Sequence, residues 1–144
     1  MQARARPLLS ALVAATSAAA TLAWASTNPE LPVVHHEGPV AYVTGGSTLG
    51  QERAMQDEAA QYPLELQFLW GRGAKETPVT VSHWSIRDGY GHEVAAGKEG
   101  GPILLASLPD GRYVVSATYD GNIVNRVVRV SRGVHDDVLL EWPQ

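Results

Sequence analysis

The chain has no cysteine. That absence excludes disulfides, although an exported environment would permit them, and it excludes lipid attachment at a cysteine. A basic block is missing too: eleven Lys and Arg are scattered against fifteen Asp and Glu. An acidic balance with no basic run argues against nucleic acid or an anionic lipid surface as partner. No Gly-x-Ser-x-Gly elbow, Walker loop or His-Glu-x-x-His helix occurs, so three common routes to catalysis leave no trace in the sequence.

What the sequence does carry begins with an export signal. Arg4 and Arg6 precede Leu8-Leu9-Ser10-Ala11-Leu12-Val13-Ala14-Ala15, and small or apolar residues continue to Ala23-Trp24-Ala25. A positive n-region, a short apolar h-region and an Ala-x-Ala site are the parts of a cleavable signal peptide. Residues 1–25 are therefore expected to be removed after Ala25. Thr16, Ser17 and Thr21 interrupt the run and no stop-transfer charges follow, so the expected product is periplasmic and keeps no stable membrane anchor. Cleavage takes away Arg4 and Arg6 and no acid, leaving 119 residues with nine cationic and fifteen acidic side chains, a formal charge of −6. That length suits one domain with one core.

Residues 26–39 hold Pro29, Pro32 and Pro39 around His35-His36-Glu37. Three prolines deny the segment a stable helix or a central strand, so it reads as an extended leader. The adjacent histidines invite a metal reading, but neighbours on an extended chain point opposite ways and do not converge. The folded domain is expected over 40–144. Val40 to Thr44 predicts a short strand stopped by Gly45-Gly46. A helix is expected over about 48–62: Thr48 is its cap, Gln51 stands three residues on as in a capping box, and Met55, Ala59 and Tyr62 form a narrow apolar stripe. Pro63 ends it.

Beyond Pro63 the pattern is strand and turn. Leu64, Leu66, Phe68 and Trp70 alternate with Glu65 and Gln67, which predicts a strand with one buried face. In Pro78 to Arg87 the apolar parity changes between Val79, Val81 and Trp84, Ile86, so a bulge is expected near Ser82-His83. His92 to Ala96, Ile103 to Leu105, Arg112 to Tyr119, Asn122 to Val130 and Val134 to Trp142 read as further strands. Strands about ten residues apart with turn signals between them predict an all-β sandwich.

The most legible stretch is Leu108-Pro109-Asp110-Gly111-Arg112-Tyr113-Val114-Val115, followed by a second Asp-Gly pair at Asp120-Gly121. Its L-P-x-G-x-Y-x-V pattern resembles the carboxypeptidase regulatory-like, or transthyretin-like, β-sandwich superfamily. The wider layout resembles small exported proteobacterial proteins that carry this domain: Tyr42-Val43-Thr44-Gly45-Gly46, a short helix, Gly101-Pro102 before a strand, and Leu139-Leu140-Glu141-Trp142 near the end. The resemblance implies a transthyretin-like (prealbumin-like) sandwich with one N-terminal α-helix, acting as a non-catalytic accessory or interaction domain without a cofactor. Hydroxyisourate hydrolases of the same superfamily share a Tyr-Arg-Gly-Ser signature that this chain lacks. His83 and His92 stand about four residues apart along the expected hairpin, too far for a shared metal or proton relay, and His135-Asp136-Asp137 reads as a solvated polar cluster in a turn.

The expected function is thus binding of an envelope protein or polymer, with a small-ligand or metal carrier as the alternative. Trp70, Arg72, Trp84 and Tyr90 are the candidate binding residues, because aromatic and arginine side chains beside Gly-rich loops are the usual anchors of contacts. The competing reading of the tryptophans is plain core.

Overall fold

Apolar residues at alternate positions line one face of most strands in the computed structural model, which describes residues 30–143. The expected signal peptide and its Ala25 cleavage site lie outside the described residues. In chain order the elements are β1 (His35–Glu37), β2 (Val40–Gly45), helix α1 (Leu49–Glu58), β3 (Leu64–Trp70), β4 (Thr77–Pro78), β5 (His83–Asp88), β6 (Glu93–Gly97), β7 (Ile103–Ser107), β8 (Gly111–Tyr119), β9 (Asn122–Val130) and β10 (Asp136–Trp142). They form a mainly β structure of two open sheets packed together. One sheet has six strands in the order β1-β2-β7-β3-β10, with β4 also paired to β3; the other has four in the order β6-β5-β8-β9.

Between the sheets sit Leu66, Phe68, Trp84, Ile86, Leu104, Val115 and Leu140, all fully buried. A second apolar layer lies on the outer face of the six-stranded sheet, where Met55 and Ala59 of the helical segment pack on Val43, Ile103 and Leu105. The helix starts as its sequence predicts: the Thr48 hydroxyl accepts from the Gln51 amide at 3.2 Å. The Gln51 side chain differs from the expected box, since its oxygen accepts from Gly46 N at 3.3 Å. A 3-10 turn over Ala59–Gln61 carries the helix to Tyr62. Residues His35–Glu37 of the leader pair with β2, and Leu31 and Val34 pack against the layer under the helix, so this part of the leader belongs to the fold.

The stretch from Pro78 to Arg87 departs from expectation. It is not one strand with a bulge near Ser82-His83. Thr77–Pro78 pairs with β3 in one sheet, and the chain then crosses to the other sheet to become β5. The core lies on opposite sides of the chain before and after this crossing, which is why the apolar parity flips. The register irregularity that does occur lies between Ile86 and Arg87, against β6.

The Leu108–Val115 motif folds as read. Leu108 and Tyr113 are both buried, and the Tyr113 hydroxyl donates to the Pro109 carbonyl at 2.6 Å, tying the turn to the strand it feeds. Asp120 and Gly121 link β8 to β9 with φ of +48° and +76°. Positive φ at both central residues of a two-residue loop is the hairpin geometry that Asp-Gly favours.

Candidate functional site

Trp70 ends β3 on the same parity as Phe68, so its ring faces the gap between the sheets at the rim of the sandwich. Beside it in the parallel register stands Trp142 of β10. Trp142 is buried and fixed: its indole N–H donates to the Asn122 carbonyl at 2.9 Å, and its ring meets Tyr119 edge-on at 5.7 Å. Its own carbonyl accepts from Gly71 N at 2.9 Å. Gly71 has φ +106°, and a Cβ there would lie 2.5 Å from the Lys75 carbonyl oxygen, so the loop after Trp70 closes only with glycine. These contacts leave a recess of about 290 Å³ whose walls include Trp70, Tyr119, Asp120, Asn122 and Ile123.

Chemically the recess offers one half-exposed indole face (Trp70 is 38 % exposed), an exposed isoleucine, a carboxylate at Asp120 and the Asn122 side chain, whose amide nitrogen donates to the Asp120 carbonyl at 3.1 Å. An apolar wall with a few convergent polar groups is the usual composition of a binding site. Of the residues that build it, Trp70 is legible in the sequence. Tyr119, Asn122 and Trp142 are more than forty positions away: the parallel pairing of β10 with β3 brings Trp142 beside Trp70, and the contacts of Trp142 with the other sheet bring Tyr119 and Asn122.

The four residues expected to form one surface do not come together. Arg72 is exposed in the loop that follows Trp70. Trp84 is fully buried, and its indole N–H donates to the Glu99 carbonyl at 3.2 Å, so it has no face left for a partner. The apolar parity of β5 turns it into the core, where Tyr42 meets its ring edge-on at 4.8 Å. Tyr90 is 91 % exposed at the other end of the sandwich. Its turn starts at Asp88, which pairs with Tyr113, whereas the Trp70 recess adjoins Tyr119. Six residues of strand separate those levels, roughly 20 Å. Asp88 holds the Tyr90 turn by accepting from the amides of His92 and Tyr90, each at 2.9 Å. The His92 amide is the main reason its carboxyl sits below the ordinary carboxylate range.

His135 forms a local link that its sequence context does not announce. Its Nδ1 lies 2.7 Å from the Tyr62 carbonyl and its Nε2 lies 2.8 Å from Glu65 Oε2. Both neighbours are acceptors, so the geometry favours the imidazolium, which donates twice. The Tyr62 carbonyl, and after it the Glu65 carboxylate, raise its pKa above the ordinary 6.5 against the opposing effect of burial. His135 closes one side of a groove of about 620 Å³ that also involves Tyr62, Leu108, Asp110 and Arg132. Both imidazole nitrogens are engaged within the protein, so the ring acts as a clasp between the helix end, β3 and the start of β10. Among the described residues no three His, Asp or Glu side chains converge as metal ligands.

No model of a known protein family matches the chain, and no curated protein matches it.

Proposed function

We propose that this protein is an exported, non-catalytic binding module of the bacterial periplasm, built on a transthyretin-like β-sandwich, that captures an envelope protein or polymer through the Trp70 recess. The observation that carries the reading is the assembly of Trp70, Tyr119, Asn122 and Ile123 around a buried, doubly anchored Trp142. A rigid base under a half-exposed aromatic lowers the ordering cost of binding. The two-sheet packing, the helix on one outer face and the Tyr113–Pro109 tie support the resemblance to the carboxypeptidase regulatory-like domain. A carrier reading would need an enclosed apolar cavity, whereas the space between the sheets is filled by Phe68, Trp84 and Leu140.

Of the three tryptophans among the described residues only Trp70 is exposed, so its emission reports on the recess. The test is a fluorescence titration of the full protein with isolated peptidoglycan sacculi and with fractionated periplasmic extract. It is paired with photo-crosslinking from position 123. One fraction should shift the emission and crosslink, and Trp70→Ala should abolish both while leaving the circular dichroism spectrum intact. Capture at unchanged affinity by Trp70→Ala, or turnover of a substrate by the purified protein, would refute the proposal.

A further inference from the structure

The outer face of the four-stranded sheet carries a charge pattern that the composition hides. Register places Arg112 of β8 directly opposite Arg129 of β9. Arg87 of β5 faces Val114, two residues along β8 from Arg112, and Val114 faces Val127 of β9. Facing residues on a sheet have Cβ atoms about 5 Å apart and diagonal ones about 7–8 Å, so the three guanidinium groups serve one small area. All three side chains are exposed. None makes an ion pair or hydrogen bond among the described residues, even though Glu93 stands at the register of Arg87 and Asp110 precedes the hairpin. Neither β8 nor β9 contains an acidic residue. Asp88 and Asp110 line shallow recesses with these arginines, yet no carboxylate among the described residues comes within ion-pair distance of the three guanidinium groups.

Two further features describe the occupant. Val127 is 58 % exposed on the same face, opposite Val114 and beside the arginines, which adds apolar contact to the charges. Tyr90, exposed in the turn after β5, stands at the arginine end. Arginine and tyrosine around β-branched side chains match the composition of a protein contact better than that of a site for a lone anion. We infer that this face docks an extended acidic segment of a partner protein, with alternate carboxylates on Arg87, Arg112 and Arg129 and their methylene stems against Val127. Alternate residues of an extended segment are roughly 6.5 Å apart, which matches the arginine spacing. Guanidinium groups are weakly hydrated and bind carboxylates through two parallel hydrogen bonds, which suits them to acidic side chains. This surface lies at the opposite end from the Trp70 recess and does not depend on it.

The probe is a fluorescein-labelled peptide of alternating Glu and Val, measured by anisotropy against the full protein at low and at physiological salt. A Gln/Val peptide and phosphatidylglycerol vesicles serve as competitors. The Glu peptide should bind, should weaken with salt over the range where screening grows, and should lose about two- to fivefold affinity for each of Arg87→Gln, Arg112→Gln and Arg129→Gln. The triple variant should fold at least as well as the parent, because facing like charges are removed, and should keep the Trp70 response. Absent binding, equal binding of the Gln peptide, or full affinity in the triple variant overturns the inference. So does tighter binding of the vesicles, which would make the occupant a membrane. Sedimentation showing parent self-association that the triple variant abolishes would make it a second copy.

Discussion

Removing a single oxygen from Tyr113 tests the turn that organises the hairpin. The Tyr113 hydroxyl donates to the Pro109 carbonyl at 2.6 Å, and the ring is 6 % exposed. Tyr113→Phe deletes the donor and leaves the ring in place. Pro109 itself is exposed, so water can replace the lost partner and the cost is expected near the middle of the usual range, about 1 kcal/mol. Tyr113→Ala removes the ring as well and leaves a cavity beside Leu108 and Val128, at about 3–5 kcal/mol. The informative quantity is the gap between the two variants, roughly 2–4 kcal/mol, which isolates the ring from the hydroxyl. Urea unfolding followed by circular dichroism should show a shifted midpoint and an unchanged slope for the Phe variant. If Phe costs as much as Ala, the hydroxyl holds the turn almost alone and the packing argument fails. If neither variant moves the midpoint, this is not the core hairpin.

Two further outcomes follow from local contacts. Because the pKa of His135 is raised in the folded state, its clasp stabilises fully below the ordinary 6.5 and is lost as pH rises through the higher folded value. The melting temperature of the parent should therefore fall relative to His135→Gln as pH rises through neutrality; parallel curves would disprove the clasp. Gly97→Ala should destabilise, since a Cβ there would lie 2.5 Å from the indole nitrogen of buried Trp84. Overpacking costs about 1–3 kcal/mol against a backbone-entropy gain of about 0.5–1, so the net sign is negative, and a raised unfolding midpoint would refute it.

Local signals were legible because they are written in adjacent residues. Thr48 and Pro63 bracket the helical segment, and each Asp-Gly pair begins or ends a strand where the sequence predicts it. Alternation in Leu64-Glu65-Leu66-Gln67-Phe68 gave the correct buried face. What stayed hidden depends on which strand lies beside which. The same parity flip at Val79 to Ile86 arises from a bulge or from a change of sheet, and a single sequence does not distinguish them. The parallel neighbourhood of β3 and β10 spans some seventy residues, so the Trp70 recess had only one readable member. Trp84 shows the converse error: an aromatic near a loop in sequence is core when its parity matches that of Ile86.

The alternation that buries Tyr113, Val115 and Ala117 also decides what their neighbours are free to do. Arg112, Val114, Ser116 and Thr118 point outward by the same parity, as do Ile123, Asn125, Val127 and Arg129 across the hairpin. No element among the described residues covers that side, so their packing places no demand on these positions. Register still matters there, because a one-residue slip would send Arg112 inward and Tyr113 out. Two arginines directly opposite one another repel, by a few tenths of a kcal/mol to about 1. A lysine-free polar pair such as Thr–Thr would relieve that repulsion and fit the sheet equally well. The core does not require the arginines and no carboxylate pairs with them, which accords with the acidic partner inferred for this face.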